Sequence, residues 1–405
     1  MVSKDRALEC TRQYLDQFHT IPADAKSKIM ADLALGKIQL RQSQLCRLWA
    51  GMGSIYKVSM DTTIGKSTAT TATSSHIPSP LEFVIKHVTP PPRSQQSFGD
   101  RRKAASYQVE ANFYQHVAPK LLKKMEEEDE DNNENGSSLI LPTPYSVEYG
   151  PKQDEITIAM SYLDGSSIDT SRRDQVQATL TWLAHFHAAY WGTDTISSLV
   201  SNVGLQPIGS YWHLETRPDE HASLSNQGWQ GRLKRAAQAI HDCLQRDPMQ
   251  CLIHGDPKDA NIMKVSSKNK NNGNNNNNNK RIRIAMYDFQ YCGQGTPTRD
   301  LAYFLCTSCD PDDEREWIHY YHEQLCQQLL LKQKYEGIPI QPPTLQHLEQ
   351  SMLLAFADFY RFLCGWGQWG YNVKPKVLAL LDSLDHGRDL GSEQAYHEAI
   401  QKEFW

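Results

Sequence analysis

The sequence predicts an α+β fold of two unequal lobes, a β-rich N-terminal lobe and a larger, mainly helical C-terminal lobe. Two observations carry this. Between residues 48 and 166, short apolar and β-branched runs are broken by Gly and Pro, which is the chemistry of strands and turns. From residue 175 onward, most runs place apolar side chains at helical spacing. The join falls at residues 160–166, so the domains are expected at 1–160 and 161–405.

Residues 1–48 read as helices, with Leu8, Tyr14, Leu15 and Phe18 in one run and Ile29, Met30, Leu33, Leu35, Ile38, Leu40 and Leu45 in the next. Residues 48–60 read as strand, glycine turn, strand. Residues 61–80 are almost all Thr, Ser, Ala, Gly and Pro and read as a flexible loop. Residues 81–88 form an apolar strand that Pro90, Pro91 and Pro92 terminate. A helix is expected over 104–125, then an acidic solvated loop through Glu126–Asp131 and onward to Gly136. Residues 156–160 read as a strand. Helices are expected at 175–191, 228–246, 312–333, 343–365 and 373–385, with short strands at 251–253 and 281–289. The Asn-rich stretch 266–280 reads as a disordered insertion.

Composition narrows the function. The 405 residues carry 42 Lys and Arg against 47 Asp and Glu, a net charge of -5, which argues against general nucleic-acid binding. No apolar run approaches a membrane span, and Lys4, Asp5, Arg6, Glu9 and Arg12 leave no signal-peptide core, so a cytoplasmic protein is expected. The nine cysteines are scattered and odd in number, which favours reduced thiols. Cys306 and Cys309 form one C-x-x-C in a helix-like run without the second pair a zinc site needs, so buried thiols are expected.

The chemistry-bearing pattern is His254-Gly255-Asp256-Pro257-Lys258-Asp259-Ala260-Asn261, followed by Asp288-Phe289-Gln290. Each segment is delivered by a short apolar strand. The order and residue types suit phosphoryl transfer. A loop carboxylate, Asp256, accepts the proton of an attacking hydroxyl, and Asn261 five residues later binds magnesium. Asp288 binds the metal that bridges the phosphates of ATP, and hard oxygen donors are what magnesium prefers.

HGDPKDAN followed by YDFQ resembles the aminoglycoside phosphotransferase / choline kinase-like superfamily, and most of all its ecdysteroid kinase-like branch. The resemblance covers residues 45–310 with motifs. It implies a protein-kinase-like two-lobed fold and transfer of the γ-phosphoryl group of ATP to a small-molecule acceptor. Gly51-x-Gly53-Ser54-Ile55-Tyr56-x-Val58 fits the expected glycine turn over the phosphates, with Tyr56 in place of the third glycine. Lys86, flanked by apolar strand residues, fits the strand lysine for the α/β-phosphates. Glu110, at i, i+3 and i+4 from Phe113 and Tyr114, fits the helix glutamate that holds it. The resemblance gives Lys258 a charge-neutralising role beside the moving phosphoryl group, and a solvent-facing lysine fits the sequence equally well. It also matches Asp300 to a residue that braces the catalytic loop, read here as a helix cap. Residues 160–165 match the hinge that holds adenine. His187 is read as a packed histidine in preference to an acid-base group. Trp366 and Trp369 are read as packing in preference to an acceptor-pocket lining.

The departures are a long gap between Gly53 and Lys86 and Gln290 where protein kinases have Gly. A catalytically inactive kinase-like binding module is disfavoured because every expected residue type is present. A protein kinase is disfavoured because no Ala-Pro-Glu segment follows Asp288. The expected partners are a small-molecule acceptor and neither nucleic acid nor membrane. The acceptor, its hydroxyl or amine character, the oligomeric state and protein partners stay open.

Overall fold

The computed structural model describes residues 1–18, 21–60, 81–131 (backbone alone at 128–131), 139–152, 154–266 and 282–404. The expected Ser/Thr-rich loop at 61–80 and nearly all of the Asn-rich stretch lie outside the described residues. The chain divides into two compact units, residues 1–127 with 141–164, and residues 128–140 with 165–405.

The first unit is built on a five-stranded antiparallel sheet of order β1-β2-β3-β5-β4. Its strands are β1 (Leu40–Arg47), β2 (Gly53–Met60), β3 (Leu81–Val88), β4 (Pro144–Tyr149) and β5 (Ile156–Ser161). Helices α1 (Lys4–Asp16) and α2 (Ala23–Ala34) bury Tyr14, Leu15, Ile29 and Leu33 against Val58, Phe83 and Ile85 of the sheet. That apolar burial removes ring and branched side chains from water and is the main term holding α1 to the sheet. The Ser97–Asp100 capping box starts α3 (Phe98–Asn112), which runs through a π turn at Phe113–Val117 into α4 (Ala118–Asp131).

Two expectations need correction here. Residues 40–47 form a strand and not the end of a helix. Its side chains are polar and largely exposed, so the strand forms through its backbone pairing with β2 and not through a buried face. The acidic run Glu126–Asp131 continues α4 and is not a loop, because Glu is a good helix former and the Leu121 and Met125 face is already buried.

In the second unit, β6 (Gly165–Ser167), β8 (Ile262–Val265) and β9 (Ile284–Met286) form one small sheet. A second pairs β7 (Cys251–Ile253) with β10 (Gly293–Gly295). Helices supply the rest: α5 (Arg173–Ala189), α6 (Thr193–Val203), α7 (Pro218–Ser223), α8 (Gly228–Arg246), α9 (Pro297–Ser308), α10 (Glu314–Glu336), α11 (Leu345–Trp366), α12 (Lys374–Asp385) and α13 (Glu393–Phe404). The strand expected over 281–289 shortens to β9, and its partner β8 starts directly after Asn261. The first unit is built on a sheet and the second is mainly helical, which is the α+β division into a β-rich and a larger helical part that the sequence predicts.

Candidate phosphotransferase site

In the first unit, β2 opens on a tight glycine turn. Ala50, Gly51 and Gly53 all take positive φ, of 56°, 68° and 130°. A Cβ on Gly53 would lie 2.0 Å from the carbonyl oxygen of His87, because Gly53 pairs with Val88 of β3. Gly53 is therefore demanded by both backbone conformation and close strand approach. Gly51 meets nothing within 4 Å and is demanded by conformation alone. Ser54 follows, paired with His87.

Lys86 stands on β3 between Ile55 of β2 and Ile158 of β5. Its Nζ donates to Glu110 Oε2 of α3 at 2.6 Å, and both side chains are buried. The ring of Tyr107 lies 5.3 Å from the same nitrogen. Phe113 and Tyr114, one helical turn beyond Glu110, are buried with it. The pair expected from the sequence is thus formed, and each buried charge compensates the other.

In the second unit, β7 delivers the loop from His254 to Asn261. The backbone N–H groups of His254 and Gly255 donate to the two carboxylate oxygens of Asp300, at 2.7 and 2.9 Å. Asp300 sits in the first turn of α9 and also meets His187 Nε2 at 3.1 Å, while His187 Nδ1 meets the Tyr321 hydroxyl at 2.7 Å. Asp300 braces the loop from below and does not cap α9, whose N-terminal Thr296 makes no side-chain cap. His187 is wholly buried in that brace. The His254 ring is held by the Tyr287 carbonyl on one nitrogen and the Asp256 N–H on the other, and burial keeps it neutral by pushing its pKa down.

Asp256 is buried at the loop's tip. Its Oδ2 accepts from Lys258 Nζ at 2.9 Å and from Asn261 Nδ2 at 3.0 Å. Asn261 Nδ2 also donates to the Asp256 carbonyl at 2.9 Å, which leaves the amide oxygen for another partner. Asp256 Oδ1 is buried without a hydrogen bond among the described residues. Desolvation pushes the Asp256 carboxyl up, and Asp288 adds to the push while Lys258 opposes it. Lys258 combines this contact with Asp256 with a side chain that is 39% exposed.

Asp288 follows β9 with φ 70°, a left-handed backbone that a non-glycine residue adopts at a cost. The Gln290 side-chain amide donates to Asp288 Oδ1, so this glutamine holds the carboxylate from within its own turn. Phe289 is buried and packs against the His254 ring at 4.8 Å and Phe186 at 5.8 Å. Asp288 and the His254–Asn261 loop are thereby tied through one aromatic contact and the His254–Tyr287 bond. An amide oxygen and a carboxylate are hard donors that fit magnesium. Among the described residues no group of three or more His, Cys, Asp or Glu could hold a metal ion.

Sequence reasoning missed two tyrosines. Tyr211 and Tyr303 place their hydroxyls 3.3 Å apart, and the Asp256 charge adds to burial in raising both phenols. Tyr303 had a local signal, one turn after Asp300. Tyr211 had none, because only tertiary packing brings it to the loop. Trp369 packs edge-on against Phe359 and Phe362, as expected of packing. Trp366 is 54% exposed, stacked on Phe362, with the Arg217 guanidinium 4.9 Å from its ring. Burial raises the thiols of Cys306 and Cys309 to about 12.

Residues 214–335, which contain both the HGDPKDAN loop and Asp288, match the sequence profile of the ecdysteroid kinase-like family. No curated protein sequence matches the chain significantly. Solved structures similar to it include a microcompartment-associated aminopropanol kinase, with 12% identity over 93% of this chain and 98% of that one and a TM-score of 0.42. Another is an ethanolamine kinase of Plasmodium vivax, with 11% identity over 90% and 82% and a TM-score of 0.41. A third is an amicoumacin kinase in complex with AMP-PNP, Ca2+ and Ami, with 11% identity over 96% of each chain and a TM-score of 0.44. Among the described residues no helix is long and apolar enough to cross a membrane.

Proposed function

We propose that this protein is a cytoplasmic kinase that uses ATP and magnesium to phosphorylate a small-molecule acceptor on a hydroxyl group. The observation that carries the reading is the asymmetry of Asp256: one oxygen engaged by Lys258 and Asn261, the other buried and without a hydrogen bond. A carboxylate held in one orientation with one oxygen open is what a positioned base requires. Oδ1 takes the proton of the acceptor hydroxyl. Lys258 offsets negative charge beside it as the phosphoryl group moves. Asn261 and Asp288 would hold the magnesium ion, which would supply charge neutralisation for the phosphates.

In the N-terminal unit, Lys86 binds the α/β-phosphates, Glu110 holds Lys86 in place, and the turn of Gly51, Gly53 and Ser54 covers the phosphates with backbone N–H groups. The N-terminal residues 1–160 are then the nucleotide-binding lobe and 161–405 the lobe of catalysis and acceptor binding. Positioning and charge neutralisation, and not covalent chemistry, supply the rate enhancement.

The deciding experiment is calorimetric titration of Mg-ATP into the wild-type protein and Asp288→Ala. Binding by the wild type and its loss in the variant are expected. A wild type that fails to bind would sink the enzyme reading in favour of a kinase-like binding module. With binding established, a panel of hydroxylated and amine-bearing small molecules identifies the acceptor.

A further inference from the structure

Outside the phosphotransferase loop, the interior of the second unit holds a charge imbalance. Arg299 of α9 and Arg361 of α11 are both wholly buried, and Asp358 is the carboxylate they share. Arg299 Nη1 donates to Asp358 Oδ2 at 3.0 Å. Arg361 Nε and Nη2 both donate to Asp358 Oδ1, at 3.0 and 2.8 Å, and Nη2 also reaches the Trp212 carbonyl at 3.0 Å. Both oxygens of Asp358 are therefore used, and the triad is left with one net positive charge.

Three guanidinium nitrogens in this cluster are buried with no hydrogen-bond partner: Arg299 Nε, Arg299 Nη2 and Arg361 Nη1. Nε and Nη2 form the two-pronged edge of a guanidinium, the edge that binds anions in parallel. The Arg299 guanidinium is also set over the Trp212 ring at 5.3 Å. His213 and His241, with ring centroids 6.3 Å apart, are buried beside the cluster, and each has an Nδ1 without a partner. Burial lowers the pKa of both rings, so they enter as neutral donors or acceptors. The nearby carboxylates do not supply the missing charge. Glu215 reaches His241 alone and is 69% exposed, and Glu220 is engaged by Arg217.

A buried guanidinium edge without acceptors is costly, and a buried cation without a counter-charge more so. A water molecule answers the first cost and not the second. We infer that the second unit holds a small monovalent inorganic anion, of the size of chloride, on the free Nε/Nη2 edge of Arg299. This site is separate from the proposed acceptor and nucleotide chemistry and does not rest on it. It has a structural consequence for the loop all the same. Arg299 is adjacent in the chain to Asp300, whose carboxylate holds the His254 and Gly255 N–H groups. An anion on Arg299 would therefore hold the helix turn that carries Asp300.

The test uses bromide as the probe. Crystals of the wild-type protein grown in sodium bromide are expected to show an anomalous peak at Arg299 Nε and Nη2. Ordinary water there, an empty edge, or bromide at surface positions only, an adventitious ion only, would each overturn the inference. In solution, the wild type is expected to gain a saturable rise in melting temperature of a few degrees in sodium bromide over sodium gluconate at equal ionic strength. Arg299→Leu leaves Asp358 and Arg361 as a balanced pair and is expected to lose that rise. A folded Arg299→Leu that keeps it would overturn the inference. If the variant does not fold, the bromide map on the wild type still decides.

Discussion

The two candidate regions, one in each unit, solve opposite problems. Lys86 and Glu110 form a closed pair: buried, opposite in charge and 2.6 Å apart. The His254–Asn261 loop and Asp288 are the reverse. There a carboxylate keeps one oxygen unmatched, and another carboxylate sits on a left-handed backbone. The first arrangement is stable by itself. The second carries local cost that the surrounding bonds to Asp300, Gln290 and Tyr287 must offset. Stability and reactivity are thus separated onto different units of one chain.

Asp256→Asn breaks the comparison most sharply. It keeps shape and removes the base, so turnover is expected to fall on the order of 10²–10⁴-fold. Nucleotide affinity by calorimetry should stay near wild type, and retained turnover would remove Asp256 as the base. Glu110→Ala attacks the closed pair instead. It strands a buried lysine, and a loss of about 3–5 kcal/mol in unfolding free energy is expected by denaturant titration. A near-neutral result would mean the pair is far better solvated than its burial implies. Gly53→Ala tests the turn that precedes β2. A Cβ 2.0 Å from the His87 carbonyl forces the β2–β3 pairing apart, at a cost of about 1–3 kcal/mol. The same substitution at Gly51, with open space around it, is expected to cost less, which separates clash from conformation.

The smallest effect expected is on pH. His213 and His241 have pKa values held below the ordinary histidine value by burial. The unfolded chain therefore binds more protons than the folded one once pH drops below about 6.5. Stability from these two rings is full above that pH and is lost as pH falls toward their folded pKa values. Melting temperature measured from pH 7.5 down to 5 should decline accordingly, and a flat profile would place both rings in contact with water.

The His254–Asn261 loop was legible as a candidate site because its pattern is local. Five positions separate Asp256 from Asn261, and a short apolar strand precedes each carboxylate segment. Lys86 was legible as a lone cation among apolar strand residues. What the sequence concealed was non-local. β1 has a polar, mostly exposed face, so no alternation marked it, and its existence depends on backbone pairing with β2. Asp300 resembled a helix cap because its partners, the N–H groups of His254 and Gly255, lie 45 or more residues away. Nothing in linear order shows that Arg299, Asp358 and Arg361 meet in the interior, where charged residues are seldom wholly buried. Tyr211 was invisible for the same reason.

One glycine bears on how this chain is free to change over evolutionary time. Gly255 has φ 82°, and a Cβ there would lie 2.2 Å from the Tyr291 carbonyl oxygen and 2.8 Å from the Ser210 backbone nitrogen. Three stretches of main chain, distant in sequence, meet at a point with no room for a methyl group. A descendant that replaced Gly255 would have to move the turn after Gln290 and the segment at Ser210 in the same lineage. Drift at this position is therefore coupled to drift at two others, and the three are expected to be inherited as a block.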